Sequence, residues 1–145
     1  MKKTLIFVAL AALLAGLACE EAVEDGKISG NVKDNGSAVS GAFVMLLEEG
    51  QMLAGEQPLS NGSITQSNGN YTILLVQPNK DFYLVAVKDQ DGNKEYTPGV
   101  DPMGYYGTYN AQTRVWIPSA VRVSSGQSLT GINVNDLIVV PALPF

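Results

Sequence analysis

The chain has 145 residues, 46% of them apolar, with 15 glycines, 7 prolines and a formal net charge of −5. That length suffices for one domain with its own core, while the acidic balance argues against nucleic acid, whose phosphates demand clusters of Lys and Arg. With no histidine and one cysteine, Ser-His-Asp triads, Cys-His pairs, histidine metal sites and internal disulfides are excluded.

The first segment carries Lys2 and Lys3 and then an uncharged apolar run from Leu5 to Leu17. This is the shape of a secretory signal, and it falls short of the roughly 20 residues needed to cross a bilayer. Gly16-Leu17-Ala18-Cys19 resembles the lipobox of bacterial lipoproteins, whose cysteine becomes the diacylated first residue of the mature chain. The usual Leu three places before the cysteine is replaced by Gly16, so ordinary cleavage after Ala18 is the alternative, giving a secreted or periplasmic soluble protein. The expected organisation is a signal peptide over 1–18, a charged tether over 19–25 and one domain over 26–145. Without Lys2 and Lys3, 7 basic residues face 14 acidic ones. Glu20 is not the Asp that resembles an inner-membrane retention signal, which points to the outer membrane if the bacterium has one.

From Gly26 onward the apolar residues come in short runs rich in Val, Ile, Tyr and Phe, divided by Gly, Asn, Asp and Pro. Such spacing predicts strands in a sandwich. In chain order the candidate strands fall over 27–33, 42–47, 63–66, 70–75, 82–88, 94–97, 114–117, 121–123 and 131–134, with 137–140 a further candidate. Asn68-Gly69 marks a tight turn, 48–61 a surface connection, and 99–112 a long Gly/Tyr-rich loop. The fold class expected is all-β: a two-sheet antiparallel β-sandwich of seven to nine strands, with prealbumin-like or immunoglobulin-like Greek-key topology. Both faces of 82–88 are apolar, which makes it a central strand with its outer face partly covered. Ile132 and Val134 point inward and Asn133 and Asn135 outward, as a half-solvated sheet requires.

Several of these pieces, in order, resemble the carboxypeptidase regulatory-like family of prealbumin-like β-sandwiches. Ile28-Ser29-Gly30-Asn31-Val32 is similar to its opening I-x-G-x-V strand, and Val39-Ser40-Gly41-Ala42-Phe43-Val44 to its V-x-G-A-x-V strand. Asn68-Gly69-Asn70-Tyr71-Thr72-Ile73 is similar to D-G-x-Y-x-L, with Asn68 in place of Asp. Val76-Gln77-Pro78 followed by Phe82-Tyr83-Leu84-Val85 is similar to V-x-P-G-x-Y-x-V, although Asn79-Lys80-Asp81 replaces the Gly-containing turn. The resemblance covers residues 26–97 and implies an accessory or adhesive module, contacting protein or carbohydrate, with no shared catalytic centre. A starch-binding-like sandwich is a related reading.

Two places carry candidate chemistry. Asp89, Asp91, Asn93 and Glu95 set oxygen ligands at alternate positions around Gly92, a pattern that suits Ca²⁺. Position twelve from Asp89 is Val100 and not the bidentate Glu of an EF-hand, and a plain hairpin turn between 82–88 and 94–97 accounts for the same residues. Beyond that structural calcium, no cofactor is expected. Tyr105, Tyr106 and Tyr109, with Trp116, either stack on sugar rings or dock a protein, or else fold inward to cap the core. The expected function is that of a non-catalytic cell-envelope lipoprotein, anchored to the membrane through Cys19 and contacting a surface protein or polysaccharide. The alternatives are a structural assembly or pilus-like subunit and a starch-binding-like carbohydrate-binding module.

Overall fold

The computed structural model describes residues 22–51, 57–58 and 62–141. The signal segment 1–18, Cys19 with the start of the tether, much of the 48–61 connection and the apolar end beyond Pro141 lie outside them.

Among the described residues the fold is all-β. The chain begins with β1 (Gly26–Asn31), then the small hairpin β2 (Lys33–Asp34) and β3 (Ser37–Ala38), then β4 (Phe43–Leu47). There follow β5 (Gln57–Pro58), β6 (Gly62–Ile64), β7 (Asn70–Val76) and β8 (Asp81–Val87). Next come β9 (Glu95–Tyr96), β10 (Pro102–Tyr105), β11 (Gly107–Asn110) and β12 (Val115–Pro118), and last β13 (Ala120–Arg122), β14 (Ser128–Leu129) and β15 (Ile138–Val139). Where seven to nine strands were expected, the described residues form fifteen shorter ones in several small sheets. One sheet has the order β14-β1-β7, with β1 antiparallel to β7 and parallel to β14. A six-stranded sheet has the order β15-β10-β8-β4-β6, with β13 also on β8. The pairs β2–β3, β5–β9 and β11–β12 stand apart.

Strand β8 is the centre of this arrangement. On one side it pairs with β4; the other is shared, β13 taking Asp81–Tyr83 and β10 taking Val85–Val87. The β11–β12 hairpin leaves the sheet where these two meet. Tyr106 N donates to Leu84 O and Ser119 N to Tyr106 O at its base. Leu84 and Ala86 face one core, which combines Ile28, Tyr71, Ile73 and Val76 of the three-stranded sheet with Val44, Phe82 and Val121 of the larger one. Val85 and Val87 face a second core with Met45, Tyr96, Met103 and Tyr105. Leu84, Val85, Ala86 and Val87 are all fully buried, each larger side chain contributing about 1.5–3 kcal/mol.

Three expectations change. The 99–112 stretch is not a loop: it forms β10 and β11. Pro102 and Gly104 read as turn residues, yet Gly104 is buried in a strand because the carbonyl of Asp136 lies where a side chain would stand. The Asp89–Asn93 turn does not close a hairpin, since β9 pairs with β5 and not with β8. Residues 131–134 make only an isolated bridge, Val32 to Val134, although Ile132 and Val134 are buried and Asn133 and Asn135 exposed. Gly69 takes φ +79 in the turn after Asn68, as expected, but the strands it joins, β6 and β7, belong to different sheets.

The register defines two ends. Gly26 pairs with Val76, and Arg122 with Asp81, so the chain enters β1 at the same end where β7 gives way to β8. Asn31 pairs with Asn70 and Phe43 with Val87, which puts the start of the β8–β10 connection at the opposite end.

Candidate functional site

The connection from β8 to β10, at the end far from Gly26, is built on carboxylates. Asp89 stands at its start and Asp101 at its close; ligand oxygens of Asp89, Asp91 and Asp101 lie within 4.8 Å of one another. Asp101 is fully buried. Its Oδ1 accepts from Gln90 N at 2.7 Å and its Oδ2 from Thr97 N at 2.8 Å, so one side chain ties both limbs of the connection. Asp89 accepts from Gly92 N at 2.7 Å and from Lys94 N at 3.0 Å. Asp91 accepts from Asn93 N at 3.1 Å and from Thr97 Oγ1 at 3.3 Å. No ion pair among the described residues involves these three acids. Three converging carboxylates without a cationic side chain repel one another, and a cation among them removes that repulsion. The cluster can therefore hold a metal ion.

Of the four ligands expected from the sequence, Asp89 and Asp91 enter this cluster. Asn93 flanks it, with its Oδ1 accepting from Glu95 N at 2.7 Å and its Nδ2 donating to Thr97 Oγ1 at 2.9 Å. Glu95 lies on β9 and is not one of the three converging acids. Asp101 was not among the ligands expected. No sequence signal marked it, because 99–112 reads as a loop and only the fold brings its first acid back to Asp89 and Asp91.

The aromatic residues gather on the outer face of the six-stranded sheet. Tyr105 is buried in the second core, with the Trp116 ring edge-on at 6.2 Å between centroids. Tyr109 meets the other side of Trp116 at 5.0 Å, with the planes inclined by 42°. Tyr106 instead packs, partly buried, against the first core. The structure thus brings Tyr105, Tyr109 and Trp116 together and sends Tyr106 elsewhere. Trp116 Nε1 is buried with no acceptor among the described residues. Beside this cluster runs a groove of about 140 Å³, lined by Tyr109, Arg114 and the run Ile138–Pro141. Strand β15 forms its wall and, among the described residues, pairs only with β10, on one of its two edges. Val139 of that strand is 48% exposed, whereas Val115 and Ile117, also exposed, alternate with Trp116 and so lie on the other face of the hairpin.

Two tyrosines have hydroxyls held above their ordinary range. Burial raises Tyr71, with Tyr106 adding to it, and Tyr71 donates to Ile132 O. Burial also raises Tyr96, with Tyr105 and Asp101 adding to it. Neither is poised to ionise near neutral pH, so both act as structure.

Comparison of the chain with family models, with curated proteins and with solved structures finds no match.

Proposed function

We propose that the chain is a non-catalytic cell-envelope lipoprotein that contacts a protein partner through the groove beside β15. The observation that carries this reading is the edge of β15 left unpaired among the described residues, beside a groove lined by Tyr109 and Arg114 and with Val139 exposed. An extended peptide adds to such an edge through main-chain hydrogen bonds, and the groove receives its alternate side chains. Trp116 Nε1 supports the same reading, because a donor buried without an acceptor costs about 1–3 kcal/mol and gains one if the hairpin shifts outward on binding. A sugar ring asks for an exposed aromatic platform. Here the Tyr109 and Trp116 planes are tilted and Tyr105 is buried, which favours protein over polysaccharide.

In this reading residues 1–18 are removed on export, Cys19 carries the lipid, and 26–145 form one two-sheet sandwich of the prealbumin-like, carboxypeptidase regulatory-like kind. The first core supports that architecture, since it draws on both larger sheets. Calcium is the ion proposed for the acid cluster, because carboxylates are hard oxygen donors. Its role there is to clip the β8–β10 connection, not to react.

A photo-crosslinking residue at Val139 of the full chain, in the producing cells, tests the contact. One discrete cross-linked protein, absent when the same residue is placed at Ser37 and when Arg114→Glu is added, supports it. A cross-link to a second copy of the chain moves the reading to the assembly subunit. Saturable binding of a glycan, lost in Tyr109→Ala and without any cross-linked protein, replaces it with the carbohydrate-binding module.

A further inference from the structure

The two most exposed leucines among the described residues sit side by side in β7. Leu74 is 64% and Leu75 80% exposed. Between the pairs Gly26–Val76 and Ile28–Ile73, the single residue Lys27 of β1 faces both leucines, so they form a bulge. Leu75 adopts φ +56, the left-handed region where a bulky side chain is strained. Gly or Asn would satisfy that backbone at less cost. At 80% exposure the leucine side chain has little packing to offset that strain.

Its place in the fold suggests what covers it. The bulge lies one pair from Gly26, where the chain enters β1. Just before it, Glu24 N donates to Ser125 Oγ at 2.9 Å and Glu24 O accepts from Gly126 N at 2.9 Å. The chain is thus fastened to this end of the domain at Glu24. Four residues lie between Cys19 and Glu24, five steps along the chain and a reach of at most about 18 Å. A lipid on Cys19 would hold this end close to the bilayer, and the far end with its carboxylates would point away.

We propose that the Leu74–Leu75 bulge is a second membrane contact, seated in the interfacial layer of the bilayer that holds Cys19. This rests on the anchoring proposed above. The acyl chains supply the attachment; the bulge adds a second point, and two points fix the tilt of the domain. Glu24, Asp25 and Lys27, all exposed, give this end mixed charge. The contact is therefore apolar and insensitive to salt.

The test uses the full chain, processed in cells and reconstituted in phosphatidylethanolamine–phosphatidylglycerol vesicles containing spin-labelled lipid. Acylation blocks the Cys19 thiol, so Leu75→Cys offers one free thiol for an environment-sensitive fluorophore, and Ser37→Cys at the far end serves as control. The expected result is blue-shifted emission, quenched by the spin label, at position 75 and not at 37, unchanged between low and high salt. The same label at Lys27→Cys shows the shift, and loses it when Leu74→Ser and Leu75→Asn are added; Asn tolerates the left-handed backbone. Mass spectrometry of the N-terminal peptide reports the lipid separately. Acylated protein with a water-exposed label at 75 overturns the inference and leaves the anchor standing. Unacylated protein overturns both, and a shift that grows with protein concentration without lipid assigns the bulge to a second copy instead.

Discussion

At the end far from Gly26, the β8–β10 connection is closed by side-chain carboxylates accepting backbone N–H groups, with Asp101 buried at its centre. At the entry end, the turn from β7 to β8 is closed by main-chain bonds, such as Asn79 N to Val123 O at 2.8 Å. The charged side chains there lie on the surface: Arg122 meets Asp81 at 3.3 Å with both more than half exposed, and Lys80 meets Glu48. One end places charge where it carries structure; the other leaves charge in water and exposes leucine. Substitutions should therefore differ in effect according to the end they touch.

The largest difference is expected for Asp101→Ala. It leaves the N–H groups of Gln90 and Thr97 without acceptors, and should lower stability by about 3 kcal/mol, read from urea unfolding. Asp101→Asn keeps one acceptor and should cost less. At the entry end Arg122→Ala removes a solvent-exposed ion pair and should stay within about 0.5 kcal/mol. Equal losses from the two alanine variants would remove the distinction between the ends.

Calcium sharpens the same contrast. An ion held only by the folded chain stabilises it by about 2.7 kcal/mol at a hundredfold excess over its dissociation constant. Thermal unfolding of the full chain should shift upward in millimolar calcium, and Asp91→Asn should abolish the shift. No shift in the parent chain would leave the carboxylates as a hydrogen-bonded closure alone.

One pair in from the far end lies Tyr71, whose hydroxyl burial holds neutral well above the ordinary range. The folded chain keeps this proton at a pH where the unfolded chain, ionising near pH 10, has lost it. Stability is therefore full below that pH and falls as pH rises through it. Tyr71→Phe removes the bond to Ile132 O, should cost about 1 kcal/mol at neutral pH, and should flatten part of the alkaline fall. Tyr96, raised chiefly by burial, should supply the remainder.

The ends also differ in how far the sequence announced them. The runs that became β1, β4 and β8, and β7 apart from its two leucines, were legible because their apolar residues match positions turned toward the cores, and Asn68-Gly69 because a left-handed turn calls for glycine. Asp89 and Asp91 were legible as oxygen donors. Asp101 was not, since a residue's part in closing a connection depends on which chain segments pass beside it. The same holds for Gly104, which reads as a loop residue until the carbonyl of Asp136 is seen against it. Leu75 was hidden for the opposite reason: as part of an apolar run it reads as core, and only the pairing of two β7 residues against Lys27 turns it outward.

That outward turn yields a small expected effect, and one with the opposite sign. Relief of the left-handed conformation in Leu75→Gly should stabilise the chain by about 1 kcal/mol, less some unfolded-state entropy that glycine adds. Exposed at 80%, the side chain has little packing to lose. Urea midpoints of the parent chain, Leu75→Gly and Leu75→Asn decide the point. If both variants are more stable, the parent leucine opposes folding at this position and its retention needs a reason outside the fold. If both are less stable, leucine packs against its own sheet more firmly than its exposure suggests, and the entry end has no apolar surface to spare for a membrane.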